Sequence, residues 1–165
     1  MRRWFGALVA ATSLIAFDDP ASAGRFNVEI ANWFVYSLTN SCIAGNRPPV
    51  EYNFSPWNSL TLHAAKDGSY RVEVMFWPGL LKRDQAYKLY LYPQGRNQHI
   101  VEAEVTGIES LKTRQPISDD FIKDLRGSKL LQVSATGNPD PLGFDISRVA
   151  DVLKALDDCR KTLGG

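Results

Sequence analysis

The sequence predicts an α+β domain: an antiparallel β-sandwich or barrel-like sheet carrying a short helix and a C-terminal helix. Three observations lead there. Alternating apolar–polar runs recur between Pro- and Gly-containing turns, as strands of an antiparallel sheet do. An apolar stripe at helical spacing occupies the last twenty or so residues. The chain of 165 residues contains only two cysteines, Cys42 and Cys159, and the second lies on that stripe.

The chain opens with the pattern of a secretory signal. Arg2 and Arg3 supply a positive start, and Trp4 to Phe17 is uncharged and mostly apolar. Asp18, Asp19 and Pro20 break the run, and Ala21-Ser22-Ala23 offers a small-x-small cleavage site before Gly24. The apolar run is shorter than the roughly 20 residues a spanning helix needs, so no integral membrane span is expected after processing. The expected organisation is residues 1–23 as signal peptide and 24–165 as a single β-rich exported domain, periplasmic or secreted. Sec-type export fits the short positive start, although Arg2-Arg3-Trp4-Phe5 also carries the twin-arginine pair.

In an oxidising compartment an even cysteine count favours a disulfide, here Cys42 to Cys159; two buried free thiols are the alternative. Closing a loop of roughly 100 residues or more removes about 5 kcal/mol of denatured-state entropy in the chain model. A paired sulfur is no thiolate nucleophile, so neither cysteine is a catalytic candidate. The formal net charge of +1 points away from nucleic acid and from an acidic membrane as partners.

Along the exported part, Trp33 to Thr39 is aromatic and β-branched and reads as a strand, followed by Cys42-Ile43-Ala44. Residues 45–58 read as irregular. Ser59 to Ala64 alternates, with Leu60 and Leu62 on one face and Thr61 and His63 on the other. Lys66-Asp67-Gly68-Ser69 is a turn, and Tyr70 to Phe76 alternates again with Val72, Val74 and Phe76 inward: a β-hairpin. Trp77-Pro78-Gly79 fits a type II turn. Tyr87 to Tyr92, Ile100 to Val105, Lys129 to Ala135 and Phe144 to Ile146 complete a sheet of about seven strands.

Ser118 caps a short helix with Asp119 and Asp120 in its first turn, and Ile117 is placed to staple onto Ile122. Phe121, Ile122 and Leu125 form its buried side, and Gly127 closes it. The second helix is expected from a Ser147 cap to about Thr162, ended by Gly164 and Gly165. Val149, Val152, Leu153, Leu156, Cys159 and Leu163 make its apolar stripe. A bond from Cys159 to Cys42 would fix this helix on the sheet.

The tail is the distinctive part: a capped helix from Ser118 to Arg126, a Gly turn, the strand Leu130-Leu131-Gln132-Val133, a loop, and Phe144 leading into an amphipathic last helix. With the Trp-led strand Trp33-Phe34-Val35, this order resembles the invasion-associated locus B-like group of exported bacterial proteins. The junction reads Gly143-Phe144-Asp145-Ile146-Ser147, where the group leads in with Phe-x-x-Gly-Phe. The resemblance implies a β-sandwich or barrel-like periplasmic domain with a non-enzymatic, host- or envelope-related role.

Little in the sequence carries chemistry. His63 and His99 are the two histidines, in no HxxxH, HxH or HExxH spacing. His63 reads as a solvent-side or locally bonded residue. His99 with Glu102 or Glu104 would be a minimal metal set, but two same-face glutamates read better as a solvated outer face. No GxSxG and no phosphate-binding Gly-rich loop is present. No catalytic residue, metal site or cofactor is expected.

The aromatic residues suggest more. Trp57, Trp77, Tyr90 and Tyr92 come from four neighbouring segments, with Lys82 and Arg83 as rim candidates. If Leu89 and Leu91 face the core, Tyr90 and Tyr92 face outward; if the second face is covered, the rings are core instead. The leading expectation is a non-catalytic interaction protein that binds a protein or glycan of the cell envelope or host. The alternatives are an inhibitor or immunity-type protein blocking a hydrolase with the Trp77–Leu81 loop, and, third, a small hydrolase.

Overall fold

The computed structural model describes residues 26–46, 58–76, 81–107 and 109–163. They form one sheet of ten strands and two helices. The strands are β1 (Asn27–Ile30), β2 (Trp33–Ser37), β3 (Ser41–Asn46), β4 (Ser59–Ala65) and β5 (Tyr70–Met75). They continue with β6 (Tyr87–Pro93), β7 (His99–Thr106), β8 (Ser110–Thr113), β9 (Leu130–Ala135) and β10 (Asn138–Asp145). Helix α1 (Asp119–Arg126) lies between β8 and β9, and α2 (Val149–Thr162) follows β10.

Every pairing is antiparallel, in the order β1-β2-β3-β4-β5-β8-β7-β6-β9-β10. The first five strands are a meander. The chain then jumps past two positions to lay down β6, and returns through β7 and β8 to pair β8 with β5. Strand β9 adds to the free side of β6. This leaves β1 and β10 as the two edges, so the sheet is not closed. Its ends nevertheless meet. Asn46, fully buried at the end of β3, donates from Nδ2 to the Asp145 carbonyl at 2.7 Å. Asn32, in the β1–β2 turn, donates to Asn46 Oδ1 at 3.1 Å and to the same carbonyl at 3.4 Å. A main-chain carbonyl is a strong acceptor, and two side-chain amides donate to this one.

The strands alternate because one face is core. Trp33 and Val35 on β2, Leu60 and Leu62 on β4, Val72 and Val74 on β5, and Leu89 and Leu91 on β6 are all buried. Helix α2 covers this inner face along β1 to β4. It turns Val149, Val152, Leu153, Leu156 and Cys159 inward, as the stripe requires. Cys42 on β3 and Cys159 form the disulfide, both sulfur-bearing residues fully buried. The expected clamp of the last helix onto the sheet is therefore present.

The β4–β5 hairpin folds as its residues dictate. Gly68 takes φ +94, a left-handed value that costs glycine no Cβ clash. The Ser69 N–H donates to Asp67 Oδ1 at 2.8 Å, fixing the turn. Helix α1 has its expected cap: the Phe121 N–H donates to Ser118 Oγ at 3.2 Å. Ile117 and Ile122, the two staple residues, are both buried. Gly127 ends α1 without a left-handed φ. A Cβ there would meet the Arg96 guanidinium, the far end of an exposed, flexible side chain that can move aside.

Four details differ from expectation. Ser147 does not cap α2: its N–H donates to Asp145 Oδ1 at 2.9 Å, a local turn that competes with the cap. The helix starts one turn-residue later, after Arg148, with no side-chain cap bond. Strands β1 and β8, each only four residues long, join the sheet beyond the strands expected from alternation. The last strand extends back to Asn138, through a register irregularity between Asn138 and Leu142. The Trp77-Pro78-Gly79 turn, Trp57 and the terminal Gly164 and Gly165 lie outside the described residues.

Candidate functional site

The outer face of β6 is the site the aromatic residues pointed to. Tyr87, Leu89, Leu91 and Pro93 are buried on the core side, so Lys88, Tyr90 and Tyr92 point outward. Tyr92 is 39% exposed and Tyr90 is half-buried. On one side, β7 sets Ile100 opposite Tyr90 and Glu102 opposite Lys88. On the other, β9 sets Ser134 opposite Tyr90 and Gln132 opposite Tyr92. Cross-strand neighbours on one face lie about 5 Å apart, so these side chains form one continuous surface.

Three shallow concavities meet on this surface at Tyr90. One, of about 370 Å³, runs between Lys88, Tyr90, Glu102, Arg114 and Thr136. A second, of about 460 Å³, is lined by Tyr90, Gln98, Ser134 and Thr136. A third, of about 200 Å³, lies between Tyr90, Tyr92, Gln98, Gln132 and Pro141. The formal charges near them are balanced: Lys88 faces Glu102, and Arg114 is 4.0 Å from Glu104. The floor around Tyr90 and Tyr92 consists of amides, hydroxyls and rings. Ile100, 57% exposed, is the most exposed large apolar side chain among the described residues.

Of the residues singled out in the sequence, Tyr90 and Tyr92 thus share a surface. Lys82 and Arg83 are exposed in the preceding loop but line none of these three concavities. That loop is anchored by Tyr87, whose hydroxyl accepts the Lys82 N–H at 2.7 Å. Trp57 and Trp77 lie outside the described residues, as does the inhibitor loop apart from Leu81. Gln98, Ile100, Gln132 and Ser134 were not foreseen. Ile100, Gln132 and Ser134 sit at outward positions of alternating runs and Gln98 just before β7, but only the β7-β6-β9 pairing shows that they border Tyr90.

The histidines serve the fold. His63 Nε2 donates to Glu73 Oε2 at 2.7 Å, and Thr106 Oγ1 donates to Glu73 Oε1 at 2.8 Å. The His63 bond holds the Glu73 carboxyl below the usual carboxylate range, against the opposing effect of burial. His99 Nε2 lies 2.9 Å from Asp124 Oδ2 and its ring meets Phe121 edge-on at 5.0 Å, tying β7 to α1 rather than to Glu102 or Glu104. A third polar cluster joins α2 to the hairpin. Asp157 accepts from the Tyr70 hydroxyl and from Arg160, whose guanidinium lies over the Tyr70 ring at 5.2 Å. Burial, then the bond to Asp157, raise the Tyr70 phenol well above its ordinary value. Among the described residues, no group of three or more His, Cys, Asp or Glu side chains is placed to hold a metal ion.

No protein-family model matches the chain, and no curated protein matches it. Among solved structures, the crystal structure of invasion associated protein B from Bartonella henselae is similar, with a TM-score of 0.62 at 12% sequence identity. The similarity covers 82% of this chain and 98% of that one. The two chains share a fold. The architecture that the capped helix, the Phe144 junction and the amphipathic tail suggested is the one the comparison returns.

Proposed function

We propose that this chain is a non-catalytic binding domain, exported and processed before Gly24, that engages a protein or glycan of the cell envelope or host through the outer face of β6, β7 and β9. The observation that carries this reading is the exposure of Tyr92 and Ile100 beside Tyr90 on a face with balanced charge. Leaving such apolar surface in water is unfavourable for a free protein, and exposed aromatic residues with polar surrounds are typical anchors of interfaces. Both histidines pair with carboxylates away from this surface, His63 with Glu73 and His99 with Asp124, and neither lines its three concavities. The buried disulfide agrees with an oxidising, extracytoplasmic setting, and no helix among the described residues is long and apolar enough to cross a membrane. The shared fold with an invasion-associated protein supports a role in virulence.

The test is capture of envelope material by the immobilised protein, compared with the double variant Tyr90→Ala with Tyr92→Ala. An exposed anchor cut to Ala costs about 1–4 kcal/mol of binding. A core ring cut to Ala destabilises the fold by roughly 3–5 kcal/mol. Lost capture with an unchanged melting temperature is the expected result. A large fall in melting temperature would show that the rings hold the fold together rather than a partner.

A further inference from the structure

We infer that the occupant of the Tyr90–Tyr92 surface is an uncharged oligosaccharide, an inference that rests on the binding reading above and names its ligand class. Charge complementarity selects it. Between Tyr90 and Tyr92 the floor offers Gln98, Gln132 and Ser134, with no formal charge. At the Tyr90 end, Lys88 is set directly opposite Glu102. A nucleic acid, a sulfated polysaccharide or an acidic lipid would find no net field to neutralise its charge. A hydroxyl-rich neutral chain would lose nothing on that account.

The side chains present match such a ligand. The face of an aromatic ring is electron-rich, and one face of a pyranose presents polarised C–H groups that complement it. Tyr90 and Tyr92 are two residues apart on one strand face, about 7 Å between Cα atoms, and so offer successive stacking positions. Amides both donate and accept, and the serine hydroxyl rotates to suit, which is what sugar hydroxyls of mixed polarity require. The concavities are shallow and follow the strand, a shape for a chain lying along the sheet rather than for an enclosed small molecule.

The experiment uses the exported, disulfide-bonded protein and measures calorimetric binding of maltotetraose, cellotetraose and chitotetraose, each against its monosaccharide. Heparin serves as the charged control. The expected result is saturable binding of at least one tetrasaccharide, tighter than its monosaccharide and insensitive to added salt. Tyr92→Ala should weaken it roughly tenfold or more, and so should the exposed-side-chain change Gln132→Ala, both with unchanged melting temperature. Binding of heparin alone, lost with salt, would overturn the charge argument. If no neutral tetrasaccharide binds, capture of envelope material separates the two readings. Capture that survives periodate oxidation but not proteolysis leaves the binding function standing with a protein partner and ends the glycan inference. Absence of both glycan binding and capture ends both.

Discussion

At the residue scale, single polar side chains close what the backbone ladder leaves open. Asn46 is the clearest case. It is fully buried, holds the Asp145 carbonyl at the end of β10, and is itself held by Asn32. Cutting it to Ala removes its bond to that carbonyl and the bond it accepts from Asn32, at a cost of about 1–3 kcal/mol. Asn32→Ala should cost less, because its own bond to that carbonyl is long at 3.4 Å; equal losses in chemical denaturation would contradict this ranking. Glu73 makes a pH-dependent contribution. Its folded-state pKa is depressed below the ordinary 4.5, so its stabilisation is complete above that value and disappears as pH falls through the lower folded value. Denaturation midpoints taken from pH 7 down to pH 3 should fall more steeply for the wild type than for Glu73→Gln, with the two curves converging at the acid end. His63 and Glu73 were both visible in the sequence, on outward positions of the two hairpin strands. Their pairing was not, because the register His63 opposite Arg71 brings Glu73 alongside as a diagonal neighbour.

At the element scale, the legible parts were those whose signal is local. The β4–β5 hairpin follows from alternation and an Asp-Gly turn, and α1 follows from Ser118 and two aspartates. The stripe of α2 placed Cys159 inward before any partner was known. Strands β1 and β8 lack such a signal: four residues give barely one alternation, and Asn27–Glu29 are exposed at a sheet edge. Helix α2 is held at two levels. The disulfide to Cys42 constrains the unfolded chain, and the Tyr70–Asp157–Arg160 cluster ties its last turns to the hairpin. Cys159→Ser, and equally Cys42→Ser, should therefore lower unfolding free energy by about 5 kcal/mol. Tyr70→Phe, which removes one hydrogen bond to a partly exposed carboxylate, should cost only about 1 kcal/mol. Urea titrations of the three variants rank the two ties; a Tyr70→Phe loss matching the cysteine variants would place the clamp in the cluster instead.

At the scale of the whole molecule, the fold class was legible and the strand order was not. Alternation says which face of each strand is buried, but it is blind to which strand lies beside which. The jump of β6 past two positions depends on long-range packing, and it is this jump that sets β9 against Tyr90 and so builds the candidate surface from Gln98, Gln132 and Ser134. The same architecture bears on export. The sheet's first described contacts are made by Phe26, whose N–H donates to Ser37 Oγ at 3.1 Å and whose carbonyl accepts the Ser37 N–H at 3.0 Å. Removing residues 1–23 at Ala21-Ser22-Ala23 would leave these contacts, both cysteines and every strand in place. The exported protein should therefore have the intact mass of residues 24–165, less the two hydrogens lost in forming the disulfide. A chain started at Gly24 and refolded under oxidising conditions should melt at the same temperature as the exported material, because processing before Gly24 makes the two the same polypeptide. A full-length mass in the periplasm would refute the processing site, and a different melting temperature for the Gly24 chain would show that the exported material is not this disulfide-bonded polypeptide.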